Sequence, residues 1–168
     1  MGSGTPPPPR PEAGFPPPPA PSLVLYTRSG PLRLDRVVLV GILNVTPDSF
    51  SDGGRWAEPG DAAARARELV AAGAGMLDLG AESTRPGAVP VAAREELRRL
   101  LPVLRAVRAA VTVPLSVDTM KGTVARAALA EGADVVNDVS AGRFDADMFP
   151  LCAAAGAPVI LMHMRGTP

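Results

Sequence analysis

Five short apolar runs punctuate the chain: "VVLVGILN", "GMLDLGAES", "VPLSVDT", "DVVNDVS" and "PVILMHM". They are rich in Val, Ile and Leu and show no regular polar face. That pattern predicts strands covered on both sides. Between them the period changes to that of a helix. "DAAARARELVAAG" has Asp61 as its expected cap, Gly73 as its stop, and Leu69 and Val70 on its apolar side. "AAREELRRLLPVLRAVRAAV" places Leu97, Leu100, Leu101, Leu104, Val107 and Val111 at helical spacing, with Pro102 expected to kink it. "KGTVARAALAEGA", closed by Gly132, and "DADMFPLCAAAGA" complete the set. Strands alternating with helices predict a parallel sheet with helical crossovers. A doubly wound open sheet and a portion of an eight-stranded α/β barrel both satisfy this pattern.

The segments ahead of the alternation differ. "LVLYTRSGPLRL" reads as two short strands around Arg28-Ser29-Gly30, a hairpin within residues 23–37. Residues 1–22 contain ten prolines, which remove backbone donors and favour an extended chain. A disordered extension is expected there, with the main domain spanning residues 38–168.

Composition narrows the function classes. Of 168 residues, 17 are basic and 17 acidic, a balance without the footprint of a nucleic-acid binder or a protein docked on anionic membranes. No apolar run approaches the ~20 residues needed to span a bilayer. The single cysteine, Cys152, excludes an internal disulfide and reads as a small core residue of a cytoplasmic protein. There is no GxGxxG after a strand, no phosphate-binding GxxxxGK[ST], and no HExxH.

In either architecture ligands bind beyond the carboxyl ends of the strands. Those ends carry Asn44, then Glu82 to Arg85, then Asp118, then Asn137 and Asp138, then His163 and Arg165. Any one of these is commonly a turn former or a helix cap, as Asp118 would be for the helix near Lys121. Together they would share one rim. Asp118 and Asn137 offer a carboxylate and an amide, a pair able to read the edge of a flat, nitrogen-rich ring. Asn44 offers a neutral oxygen, suited to a hard cation held mainly by substrate phosphates. Arg85 could pair with an anion. No nucleophile with an adjacent base stands out. The inventory suits a reaction driven by positioning, a metal and a departing phosphate.

Five motifs in order, "GILNVTPDSFSDGG", "DLGAESTRPGA", "SVDTMKGTVARAAL", "GADVVNDVSAG" and "VILMHMRGTP", resemble the dihydropteroate synthase family from about Val38 onward. The resemblance implies an eight-stranded α/β barrel. It implies condensation of a dihydropterin-methyl diphosphate with para-aminobenzoate, with loss of diphosphate to a stabilised pterin-methyl cation before the amine attacks. It implies Asn44 as ligand of a magnesium ion on the diphosphate, Thr84 as a diphosphate contact, and Asp118 and Asn137 as the groups that hold the pterin. It assigns Asp48, Ser49, Phe50, Ser51, Asp52, Gly53 and Gly54 to one mobile loop. Ser83, Arg85, Pro86 and Gly87 belong to a second, and both shape the aminobenzoate pocket. A homodimer is implied for the full-length parent. Ala81 departs from the family, where a second glycine is expected after Gly80, and its methyl would tighten the approach to ligand.

The chain stops after the fifth apolar run, at "RGTP". The resemblance places a second pterin-binding Asp, a Lys, a serine-bearing loop and an Arg-x-His pair in later strands. A barrel truncated after strand five, and a fragment inactive alone, are the expectations. Rival readings are a folate-dependent methyltransferase, a non-catalytic pterin-binding paralogue, and a half-barrel completed by a second copy.

Overall fold

The computed structural model describes residues 23–45, 58–83 and 90–163. The expected tail of residues 1–22, the "DSFSDGG" loop, Thr84 to Gly87 and Arg165 lie outside the described residues. Two strands, β1 (Val24–Thr27) and β2 (Gly30–Arg33), form the expected hairpin. Gly30 takes φ +118°, a left-handed value open to glycine, just after the turn. The alternation then runs β3 (Leu39–Asn44), α1 (Pro59–Ala71), β4 (Ala74–Gly80), α2 (Ala93–Ala110), β5 (Leu115–Asp118), α3 (Gly122–Ala130), β6 (Val135–Asp138), α4 (Met148–Ala155) and β7 (Val159–Leu161).

Strands β3 to β7 form one parallel sheet in simple sequential order. A doubly wound sheet reverses its order near the middle, and this one does not. The described wall is therefore singly wound, as in an α/β barrel. One face of the sheet, through Leu43, Leu77, Leu79, Leu115, Val117 and Val136, packs with Ala66, Leu100, Leu104, Val107, Val124, Ala128 and Leu151 of the helices into a single apolar core.

The other face differs from the sequence expectation. Along β3, Gly41 and Leu43 are buried, whereas Val40 is 45% and Ile42 65% exposed. The continuous apolar run that predicts cover on both faces has helices on only one of them among the described residues.

Local signals also shift. Helix α1 starts two residues before Asp61: Glu58 is the cap residue and Pro59 holds the first turn. Proline's fixed φ and missing N–H suit that position, so Asp61 lies in the first turn instead. Pro102 sits on the exposed side of α2 without ending it. Helix α3 stops where expected, with Gly132 at φ +104°, and α4 is closed by Gly156 at φ +62°.

The hairpin is tied to the amino-terminal end of the sheet by one buried carboxylate. Asp134 accepts hydrogen bonds from the Ser29 backbone N–H (2.7 Å), Ser29 Oγ (2.9 Å), the Leu115 N–H (2.9 Å) and Arg108 Nη1 (3.2 Å). The opposite end of the sheet is left to the candidate site.

Candidate functional site

Parallel pairing sets three of the expected residues in one row. Asn44 is the register partner of Gly80, Gly80 of Asp118, and Asp118 of Asn137. Neighbouring strands lie about 4.8 Å apart, so the row spans on the order of 14 Å. Its side chains share the face that carries no helices. A methyl group on Gly80 would meet Asp118 Cβ at 3.5 Å, Asp118 Oδ2 at 3.6 Å and Asn44 Oδ1 at 3.8 Å. Gly80 thus leaves the floor open between the two polar groups.

Two residues deeper on the same face lie Asp78 and Ser116, themselves register partners. Asp78 is nearly fully buried. Its Oδ1 accepts a short hydrogen bond from Ser116 Oγ, and its Oδ2 accepts from Asn137 Nδ2 at 3.0 Å. Sequence reasoning singled out neither residue. The signal was present, because an aspartate inside "GMLDLG" is costly to bury unless something uses it.

Asp118 receives no side-chain hydrogen bond among the described residues. Burial pushes its carboxyl up to about 7, and the negative charges of Asp78, Glu96, Asp138 and Glu82 push the same way. It does not cap α3, as the alternative reading had it. The Gly122 N–H donates instead to Asp145 Oδ2 at 2.7 Å, and the Lys121 N–H to Thr119 Oγ1 at 3.2 Å.

Glu82, delivered by the end of β4, is held in the protein. Its Oε1 accepts from the Val91 N–H at 2.7 Å, and its Oε2 pairs with Lys121. Lys121 Nζ also donates to Glu96 Oε2 at 2.7 Å, and Glu96 is fully buried with its Oε1 unpaired. Burial opposes charge on Lys121, but the hydrogen bonds and charges of both glutamates outweigh it and raise its pKa. Asp138 is likewise internal, accepting from the Ser140 N–H, Ser140 Oγ and the Gly142 N–H. His163 is exposed just past β7. Ser83 marks the last described residue before the "TRPG" segment.

Ala81 is a correction. Its side chain is fully buried in the core between sheet and helices, on the opposite face from Asn44 and Asp118. Strand alternation sends its methyl away from the open face, so it does not tighten the approach to ligand.

The described residues form a singly wound α/β wall with a carboxylate and an amide side by side at its carboxyl rim, the end at which such folds bind ligands. The family model "Pterin binding enzyme" matches residues 40–168, and the chain belongs to that family. It is 47% identical over 133 residues to a dihydropteroate synthase of Synechocystis, covering 79% of this chain and 46% of that protein. It resembles the dihydropteroate synthase of Xanthomonas albilineans solved with 4-aminobenzoic acid, at TM-score 0.80 and 48% identity, covering 86% of this chain and 53% of that one. It also resembles the Burkholderia cenocepacia dihydropteroate synthase complexed with 7,8-dihydropteroate, at TM-score 0.74 and 40% identity, covering 88% of this chain and 48% of that one. The chain spans about half the length of these relatives.

Proposed function

We propose that the chain forms the pterin-binding wall of a dihydropteroate synthase. The reaction would join a dihydropterin-methyl diphosphate to para-aminobenzoate and release diphosphate. The row Asn44, Gly80, Asp118 and Asn137 carries this reading. Asp118 and the Asn137 Oδ1 are adjacent acceptors, which suit the N–H and exocyclic amino donors along one edge of a pterin. The arm of the same ligand would cross Gly80 toward Asn44.

The negative field of Asp78 and Asp118 favours positive charge on the ring as the diphosphate leaves, and a ring that gains charge would draw Asp118 into its ionised form. At the other end of the row a magnesium ion fits Asn44. Such an ion takes one or two protein oxygens and leaves its other positions to phosphate and water, and Asn44 is an exposed strand-end residue with a neutral oxygen. When bound, it would neutralise charge on the departing diphosphate. Thr84 and Arg85, with the segments Asp48–Gly54 and Ser83–Gly87, are assigned to the diphosphate and aminobenzoate by resemblance. A homodimer of the full-length enzyme comes from the same source, and a cytoplasmic location rests on the lone Cys152.

Calorimetric titration of the chain with a dihydropterin-methyl diphosphate and with the matching hydroxymethyl pterin tests the proposal. Saturable binding is expected, tighter for the diphosphate when magnesium is present. Asp118→Ala should weaken it at least tenfold, about 1.4 kcal/mol. Equal affinity for both ligands would favour a pterin binder without diphosphate chemistry, such as a folate-dependent methyltransferase. No saturable binding would refute the proposal.

A further inference from the structure

Asp78 has no place in the proposed contacts, yet it occupies the middle of β4 and is almost completely buried. A carboxylate there is costly, and an apolar residue of similar size would be cheaper. Both of its oxygens are committed, one to Ser116 on β5 and the other to Asn137 on β6. The second bond crosses the intervening strand just below Asp118, since Asn137 pairs in register with Asp118 and Asp78 lies two residues behind Gly80.

A carboxylate is the one short side chain that only accepts when ionised. Facing it, the Asn137 amide has a single satisfactory orientation, with Nδ2 toward Asp78. Its Oδ1 is then an acceptor without a partner among the described residues, next to the Asp118 carboxylate. An asparagine at position 78 would accept or donate equally well, and the Asn137 amide could turn over.

We propose that Asp78 is a positioning residue that locks the Asn137 amide with its oxygen toward the ligand, so that Asn137 and Asp118 together select a ring edge bearing two adjacent donors. This deepens the pterin-binding reading and rests on it for the ligand. Ser116 anchors the free end of the Asp78 carboxylate. A 2-amino-4-oxopteridine presents the donor pair. A 2,4-dioxopteridine puts a carbonyl where the amino group stands and leaves two acceptors facing each other.

The test has one arm without ligand and one with it. In the ligand-free chain, proton NMR of the Asn137 side-chain amide, identified by its loss in Asn137→Ser, should show slowed exchange with solvent. That protection should vanish in Asp78→Asn while the melting temperature stays within a few degrees. Free-amide exchange in the native chain, or unchanged protection in Asp78→Asn, overturns the inference. In the second arm, the ratio of dissociation constants for 2,4-dioxopteridine and 2-amino-4-oxopteridine should fall at least tenfold in Asp78→Asn. Ser116→Ala keeps the partner of Asn137 and removes only its anchor, so it should lower the ratio less and serves if Asp78→Asn does not fold. A ratio unchanged in both variants overturns the inference. Failure of both ligands to bind the native chain counts against the pterin reading, and the exchange measurement still decides the role of Asp78.

Discussion

Replacing Lys121 by methionine keeps the length of the side chain and removes its charge. Two carboxylates then lose their shared cation. Glu96 is fully buried, and Glu82 and Lys121 are 9% and 13% exposed at the side chain. Glu82 keeps its bond from the Val91 N–H, whereas Glu96 already has one oxygen unpaired and would lose the partner of the other. Removing one member of a buried ion pair costs about 3–5 kcal/mol, because the remaining charge is neither solvated nor paired. In a domain of this size each kcal/mol lowers the melting temperature by about 2–4 °C, so a fall of roughly 10 °C is expected by circular dichroism at pH 7. Adding Glu96→Gln to Lys121→Met removes the stranded charge and should recover about half of the loss. The raised lysine pKa fixes the sign of the pH effect. The contribution of Lys121 is complete below its usual 10.5 and is lost only as pH climbs through the higher folded value. A loss below about 1 kcal/mol, the scale of an exposed ion pair, would refute the argument that this cluster is desolvated.

Three further outcomes are expected. Asp118 binds its proton more tightly folded than unfolded, so stability should fall as pH rises from about 4 to about 7 and level off above. Asp118→Asn should abolish that slope and gain about 2–4 kcal/mol at pH 8, and a carboxyl resonance titrating near 4 in the native chain would contradict this. Asp134→Ala strands the buried Leu115 N–H and unties Ser29, at about 2–4 kcal/mol, and hydrogen exchange across residues 24–33 should accelerate more than exchange in β4. Gly80→Ala meets only ordinary contacts at 3.5 Å or more, so the melting temperature should move by no more than about 3 °C while pterin binding falls at least tenfold; unchanged binding would remove Gly80 from the floor of the site.

Strand and helix order was legible because each change of period is local and the caps Gly132 and Gly156 stand where the chain turns. The rim residues Asn44, Asp118 and Asn137 were legible for the same reason, each closing an apolar run. Strand order is what chose between the two architectures, and no local pattern encodes it. The supports of the site were hidden by distance. Asp78 meets Ser116 and Asn137 across 38 and 59 residues, and Ser29 meets Asp134 across 105. Asp61 misled because its capping preference is real, but Pro59 fixes the first turn ahead of it. Ala81 misled because a glycine position was read as facing ligand, when alternation sends its side chain to the core. The loop assignments, Asp48 to Gly54 and Thr84 to Gly87, rest on resemblance alone.

The sequential order of the sheet has a consequence for assembly. Each strand from β4 onward finds one of its pairing partners in the strand made just before it. As the chain leaves the ribosome, every strand and its helix can dock on the preceding unit without waiting for a distant partner, which keeps loop-closure costs small. The row from Asn44 to Asn137 would be laid down in the same order, its Asn44 end first and its Asn137 end last. A nascent chain stalled after β5 would already hold Asn44, Gly80 and Asp118 in place, with Asp78 waiting for the Asn137 amide that β6 brings to it.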